Sequence, residues 1–310
     1  MQVAHAAQSP PVFGEAAVAG SYAVCRQIVQ LQAKNFYYGM RLTPAGCRDC
    51  LYAVYAWMRY ADDAVDEAPD RASAAAAHRR VCSQTAAAMG GCGPSESFWP
   101  AFAHTLSHYP RCIASLVEML LGLGEDADHR GYETFEELDR YCYQVGGTVG
   151  QVCTTLWGLR EGESEAEAQR LAAIRGRAFQ LVNILRDIGG DAGDGRSYVP
   201  RQVLREAGID AEQLLTWAEP ARCKRVVGSL CQRANEHFEA SSSLDAMIDP
   251  ACVGALVAMT GIYKQLLAII ERDPQRTVQV GAGRASISTA RKLWIMAGAV
   301  LGRGVKHGGA

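Results

Sequence analysis

Regular apolar–polar alternation is scarce in this chain, which argues against a fold built on sheets. Charge of one sign is lacking too: the formal net charge is −2, so no bulk basic surplus points to nucleic acid. No uninterrupted apolar run reaches the ~20 residues that span a bilayer. The nearest candidate, Ala251–Ile270, is interrupted by Lys264 and reads as a core helix. Residues 1–20 hold no Lys or Arg, so they lack the basic start of a secretory signal and read as a loose tail. The 11 cysteines are odd in number and scattered, which fits free, mostly buried thiols in a reducing cytoplasm. Cys47–Cys50 is a lone CxxC without a partner pair, too little for a zinc or redox site. There is no strand–GxGxxG–helix unit for a Rossmann nucleotide site, no repeat of fixed period and no convincing linker. A single domain over residues 21–310 is therefore expected.

What is abundant is helix former. Ala, Leu, Arg, Glu and Gln dominate, the hydrophobic share is 49%, and 310 residues can bury a sizeable core. The expected fold is all-α, with helices over Ser21–Ala33, Pro44 to the first aspartates, Ala72–Met89, Ser97–His108, Arg111–Gly122, Phe135–Leu159, Glu165–Asp191, Ala221–Leu244, Ala251–Glu271 and Ile287–Leu301, and short pieces at Val203–Gly208 and Ala211–Trp217. Gly146, Gly147 and Gly150 fall inside one of these helices, where each costs about 1 kcal/mol relative to Ala. Close helix packing, a bend or room for a ligand would each account for them.

Two acidic stripes carry the functional reading. Asn183, Asp187 and Asp191 are spaced i, i+4, i+8 on an apolar helix, which stacks three oxygen-bearing side chains on one face. Gly193 and Gly195 then end the helix, and Arg196 and Tyr198 follow. Asp62 and Asp66 stand one turn apart on a second apolar helix. Hard oxygen ligands in this arrangement suit Mg2+. With Arg59 beside the first stripe and Arg186 beside the second, the two read as halves of one metal–diphosphate site. The plainer alternatives are solvated helix faces and local Arg–Asp ion pairs.

With these motifs placed, the sequence resembles the squalene/phytoene synthase family. Tyr52–Asp66 resembles the first aspartate-rich helix of that family, and Phe179–Pro200 resembles the second through Gln180, Asn183, Asp187 and Asp191. Tyr141–Gly150 resembles its YCxxVAGTVG segment, and Lys34–Pro44 its SFxxAxxxLP segment. The likeness runs from about Ser21 to Leu301. It departs at Gly190, where the family pattern has Glu, at Gly193-Asp194, where basic residues are usual, and at Tyr263-Lys264, where a tyrosine pair is usual.

The resemblance implies an isoprenoid-synthase helical bundle around a central cavity. It also implies head-to-head condensation of two prenyl diphosphates through a cyclopropylcarbinyl diphosphate. Asp62, Asp66, Asn183, Asp187 and Asp191 would hold Mg2+ or Mn2+, and Lys34, Arg59, Arg186 and Arg196 the diphosphate oxygens. Phe36, Tyr55, Tyr141, Val145, Val149, Phe179, Gln180 and Tyr263 would line the substrate chains, with Tyr141 among the catalytic residues. Phytoene-type chemistry on geranylgeranyl diphosphate leads, and presqualene-diphosphate, squalene or dehydrosqualene synthesis from farnesyl diphosphate is the alternative. NADPH is needed only for squalene. A terpene cyclase, favoured by the Asn183–Asp191 spacing alone, and a non-catalytic helical partner protein stay open as other classes. Greasy substrates and no anchor lead to the expectation of a cytoplasmic protein with at most peripheral membrane contact.

Overall fold

A computed structural model describes residues 13–302, apart from the side chains of Lys34, Asn35 and Ala282. The chain order is α1 (Glu15–Gln32), α2 (Lys34–Met40), α3 (Ala45–Asp66), α4 (Arg71–Met89), α5 (Trp99–His108), α6 (Cys112–Ala127), α7 (Phe135–Cys142), α8 (Thr148–Trp157), α9 (Glu165–Gly193), α10 (Arg201–Ala207), α11 (Ala211–Leu215), α12 (Pro220–Ala240), α13 (Leu244–Met247), α14 (Val253–Arg272) and α15 (Thr289–Val300). No strand occurs among the described residues; Leu159 and Ile248 form one isolated bridge. The all-α expectation holds. Of the tail expected over residues 1–20, residues 15–20 belong instead to α1, and residues 1–12 lie outside the described residues.

The centre of the bundle is α9, which packs against α8, α12 and α14. Ser164 starts it by accepting a hydrogen bond from the Glu167 amide at 3.3 Å, and Glu165 and Glu167 complement the dipole of the first turn. Leu171, Ala178, Leu181, Val182, Ile184 and Leu185 are buried along it. At about 1.5–3 kcal/mol for each large side chain fully buried, this face outweighs the cost of the four glycines within the helix. Gly195, with φ +74°, closes the turn after Asp194.

The helix expected over Phe135–Leu159 is three pieces. Between α7 and α8, Tyr143–Gly147 winds as a wider π-helical turn. Glycines mark where this stretch meets α9. A Cβ on Gly150 would lie 2.2 Å from the Ala172 carbonyl oxygen, and one on Gly176 would lie 2.1 Å from that of Gly146. The backbones of α8 and α9 touch here, so close packing sets these positions, even though Gly146 and Gly150 also border the cavity described below.

Two hydrophobic clusters fill the bundle. One gathers around Trp57, Phe102 and Leu116, the other around Leu185, Phe238 and Tyr263. Phe36 and Phe179 pack against both. Among the described residues one helix, α14, is long and apolar enough to cross a membrane. Tyr263, Leu266, Leu267 and Ile270 on it are buried against the rest of the bundle, in keeping with a core helix.

The Gly contacts separate two kinds of glycine. Gly176→Ala should lower stability by about 1–3 kcal/mol, the usual cost of forcing atoms into a filled core. Gly228→Ala, in the exposed interior of α12 where a Cβ meets nothing within 4 Å, should raise it by up to about 1 kcal/mol. Urea midpoints of the two variants check the pair, and equal effects would refute the packing account.

Candidate active site

A cavity of about 910 Å3 lies where the two clusters meet, and both acidic stripes open into it. Asp62 and Asp66 come from the last turn of α3; Asn183, Asp187 and Asp191 come from the second half of α9. The two helices are joined directly across the cavity. Arg196, just past the end of α9, donates to the Asp66 carboxylate. Sequence positions 130 apart are thereby held in contact.

Asp62, Asp66 and Asp187 each have an arginine beside them. Arg59 donates to Asp62 at 3.3 Å and to Asp63 at 3.0 Å. Arg186 donates to the neighbouring Asp187 at 3.0 and 3.2 Å, and Arg284 reaches the same carboxylate from the loop before α15. The local ion pairs that the sequence left open are thus present, on side chains that also face the cavity.

Three of the site carboxylates are under electrostatic stress. Burial, then the charge on Asp66, push Asp62 up to about 7 against the opposing pull of Arg59. Its side chain is still 44% accessible, an accessibility that comes from the cavity it lines. Burial, then Asp187, push Asp191 up to about 7, with Arg196 and Arg284 pulling the other way. A third group, Asp126 at the end of α6, is pushed up to about 6 by burial. It accepts hydrogen bonds from Tyr141 at 2.7 Å and Tyr198 at 2.9 Å. Burial and this carboxylate hold the Tyr141 phenol well above its ordinary range, so it stays protonated and serves as a donor.

Behind the polar mouth the walls are aromatic and aliphatic. Phe179 and Tyr263 stack with ring centres 4.3 Å apart, and Phe36 meets Tyr263 at 5.5 Å. Such pairs are worth about 0.5–1.5 kcal/mol beyond area burial. Tyr55, Val145, Val149 and Gln180 also line the space. Tyr263 donates to Asn183 at 3.3 Å, which ties the aromatic wall to the polar stripe of α9. One α9 face thus carries Arg175, Phe179, Asn183, Asp187 and Asp191 at successive four-residue steps. Arg175 is a buried cation at 3% exposure, satisfied by Ser241, Thr260 and Asp245.

Of the residues expected from the sequence, two stand apart. Arg196 borders the mouth through Asp66 and is absent from the cavity wall, and the side chain of Lys34 lies outside the described residues. Sequence reasoning missed Asp126 and Arg284. Asp126 sits in Glu125-Asp126-Ala127-Asp128, which looks like an ordinary charged helix end, and Arg284 follows a Gly-Ala-Gly turn with no periodicity to flag it. Gly190 and Gly193, where the sequence departs from the family pattern, leave open space: a Cβ at either meets nothing within 4 Å. Gly189 is different, since a Cβ there would lie 2.3 Å from the Val278 carbonyl oxygen.

Among the described residues, no three His, Cys, Asp or Glu groups converge to chelate one metal ion unaided. Mg2+ commonly takes one or two carboxylates together with phosphate oxygens and water, so stripes of single carboxylates around an open cavity fit that ion with a phosphorylated ligand.

The raised carboxyls set a pH dependence. A carboxyl with a higher pKa in the folded state than the ~3.9 of the unfolded chain prefers its proton in the fold. Ligand-free stability should therefore fall as pH rises from about 4 to about 7. Asp191→Asn should melt above the parent at pH 8, with the gain shrinking by pH 5. A variant that melts lower at pH 8 would refute the assigned repulsion.

With this geometry described, comparison with known proteins is direct. A family model for squalene/phytoene synthase matches residues 29–291. The 15-cis-phytoene synthase of Synechocystis sp. is 31% identical over 294 residues, covering 92% of this chain and 86% of that protein. The 15-cis-phytoene synthase of Synechococcus elongatus is 30% identical over 286 residues, covering 90% and 92%. A solved dehydrosqualene synthase in complex with ligand superposes with a TM-score of 0.81 at 28% identity, covering 92% of this chain and 97% of the other. The chain belongs to the squalene/phytoene synthase family of prenyltransferases.

Proposed function

We propose that this chain condenses two prenyl diphosphates head to head to a phytoene-type product, as the names of its cyanobacterial relatives suggest. The observation that carries the reading is the single cavity shared by Asp62, Asp66, Asn183, Asp187 and Asp191, with an apolar interior behind them.

Asp62, Asp66, Asn183, Asp187 and Asp191 would hold Mg2+ or Mn2+, which when bound supplies Lewis-acid neutralisation of the leaving diphosphate. The arginines supply the rest. Arg59, Arg186 and Arg284 sit on carboxylates in the ligand-free protein. A diphosphate entering among them competes for those guanidinium groups, and the released carboxylates then face the incoming cations. Charge stays balanced in both states. Lys34 and Arg196 are proposed as further diphosphate contacts.

Loss of diphosphate leaves an allylic cation; the 2,3 double bond of the second substrate adds to it, and loss of a proton closes the three-membered ring to give a cyclopropylcarbinyl diphosphate. A second ionisation and rearrangement then form the new bond between the two chains. Phe36, Tyr55, Phe179 and Tyr263 would shield these cations from water and face them with π-electron density. Tyr141 lines the cavity, is kept protonated, and donates its single O–H to Asp126 at 2.7 Å. Proton loss ends the phytoene route. Squalene would instead require hydride from NADPH.

Asp62→Asn and Asp187→Asn should each lower diphosphate release by about 100-fold or more, the scale on which loss of one preorganised charge acts. Chelation should abolish release and added Mg2+ restore it. Arg284→Ala should raise KM by about tenfold or more, as expected for a lost charge-assisted hydrogen bond. Incubation with geranylgeranyl or farnesyl diphosphate, with and without NADPH, followed by product mass, tests the whole reading. A product with the carbons of one substrate would mean a cyclase, and full turnover in both aspartate variants would overturn the assignment.

A further inference from the structure

The chain has seven histidines, and only His104 and His108 stand four residues apart. Both lie in the second half of α5, so they share one helix face. Their ring centres are 4.3 Å apart, with the planes at 37°. His104 is half-buried and His108 exposed, so solvent reaches the pair. No residue of α5 lines the cavity, which keeps this pair apart from the carboxylate site.

The hydrogen bonds behind the rings fix which nitrogen carries the hydrogen. Thr105 donates its only hydroxyl hydrogen to the Ala101 carbonyl at 2.8 Å, so it accepts from the Tyr22 phenol at 3.1 Å. Tyr22 then has no hydrogen left for His104, and the 3.0 Å contact between them needs His104 Nδ1–H as the donor. Burial, then Cys50, raise the Tyr22 phenol, so it keeps its proton. For His108 the Nδ1 partner is the His104 carbonyl at 2.9 Å, which can only accept. Ser107, 3.2 Å from the same nitrogen, donates its own hydrogen to that carbonyl at 2.8 Å. Both imidazoles are thereby held as Nδ1–H tautomers, with the lone pair on Nε2. Neither Nε2 makes a hydrogen bond among the described residues. The other described histidines differ. Nε2 of His78 meets the Leu120 carbonyl at 2.7 Å, that of His129 the Ser197 carbonyl at 3.0 Å, and that of His237 the Asp139 carboxylate at 3.1 Å.

Burial, then the neighbouring His108, hold His104 below the ordinary histidine range, so this ring is neutral at neutral pH. Two imidazoles at i, i+4 with Nε2 unprotonated are the donor set of a metal-binding helix face, and a hydrogen-bonded Nδ1 orients each ring for it. We infer that His104 and His108 bind one borderline divalent ion, of the Ni2+, Cu2+ or Zn2+ class, through Nε2 of each ring, with Tyr22 and the His104 carbonyl holding the rings in place. No third His, Cys, Asp or Glu joins them among the described residues, so water fills the remaining positions. Nitrogen donors favour this class over Mg2+, so the ion differs from the one proposed for the cavity. A bound ion pins the second half of α5, which packs against α1, α3 and α4.

The test uses untagged full-length protein, its thiols kept reduced by a phosphine and Mg2+ present in excess. Calorimetric titration with Ni2+ should show one saturable site. His104→Ala and His108→Ala should each weaken it by about tenfold or more, and Tyr22→Phe, which leaves the His104 tautomer unfixed, by about tenfold. Binding should also weaken as pH falls through about 6.5, where imidazole takes up a proton. Ni2+ should raise the melting temperature of the parent and of neither histidine variant. Without metal, nitrogen chemical shifts should report Nδ1–H tautomers for both rings. Turnover should be unchanged in His108→Ala, because α5 stands apart from the cavity. If His104→Ala or Tyr22→Phe fails to fold, His108→Ala decides alone, since its position is exposed. Ni2+ affinity that survives His108→Ala, no saturable binding at all, or an Nε2–H tautomer at either ring would overturn the inference.

Discussion

The structure depends on holding several carboxylates together in one largely apolar cavity. Asp62, Asp66, Asp126, Asp187 and Asp191 border the same space, and their mutual repulsion and burial raise three of them well above the ordinary aspartate range. Such a cluster is tolerable because cations sit beside it. Arg59, Arg186, Arg196 and Arg284 each lie on one of these carboxylates, and Arg196 does so across the gap between α3 and α9. On the proposed function, the cluster would hold opposite charges ready to be redistributed when an anionic ligand and its metal ions bind.

Placing that charge requires rigid support. The π-helical turn and α8 meet the backbone of α9 closely at Gly146, Gly150 and Gly176, with no room for a side chain between them. The four-residue register of α9 then carries one face from the buried Arg175 cluster, past the Phe179–Tyr263 stack, to Asn183 and the aspartates at the mouth. Apolar depth and polar mouth are therefore two ends of one helix face. The Tyr141–Asp126–Tyr198 bonds fix the opposite side, with Tyr141 supplied by α7 and Tyr198 by the segment after α9.

Much of this was legible in the sequence, because periodicity reports what a helix face does. The spacing of Asn183, Asp187 and Asp191 and of Asp62 and Asp66 announced two stripes, and the Phe36, Phe179 and Tyr263 walls followed from motifs around them. What stayed hidden lacks periodicity. Arg284 reaches Asp187 from a loop, Asp126 acts through tertiary contacts to two tyrosines, and the π-helical turn at Tyr143–Gly147 interrupts a pattern that reads as one continuous helix. The glycines of α8 were ambiguous for the same reason: their partner, Gly176, lies on another helix. The start of α1 was misplaced because Glu15–Gly20 is Ala- and Gly-rich and without basic residues, which resembles a tail until Val18 is seen buried.

The central claim is that the two stripes act on one ligand. A double-mutant cycle on pyrophosphate binding, measured by calorimetry with Mg2+ present, asks this most directly. The parent, Asp66→Asn, Asp191→Asn and the double variant would be compared. Residues that share a bound ligand should couple by about 1 kcal/mol or more, so the double variant should lose clearly less than the sum of the single losses. Strict additivity, or pyrophosphate binding that ignores one stripe altogether, would contradict it.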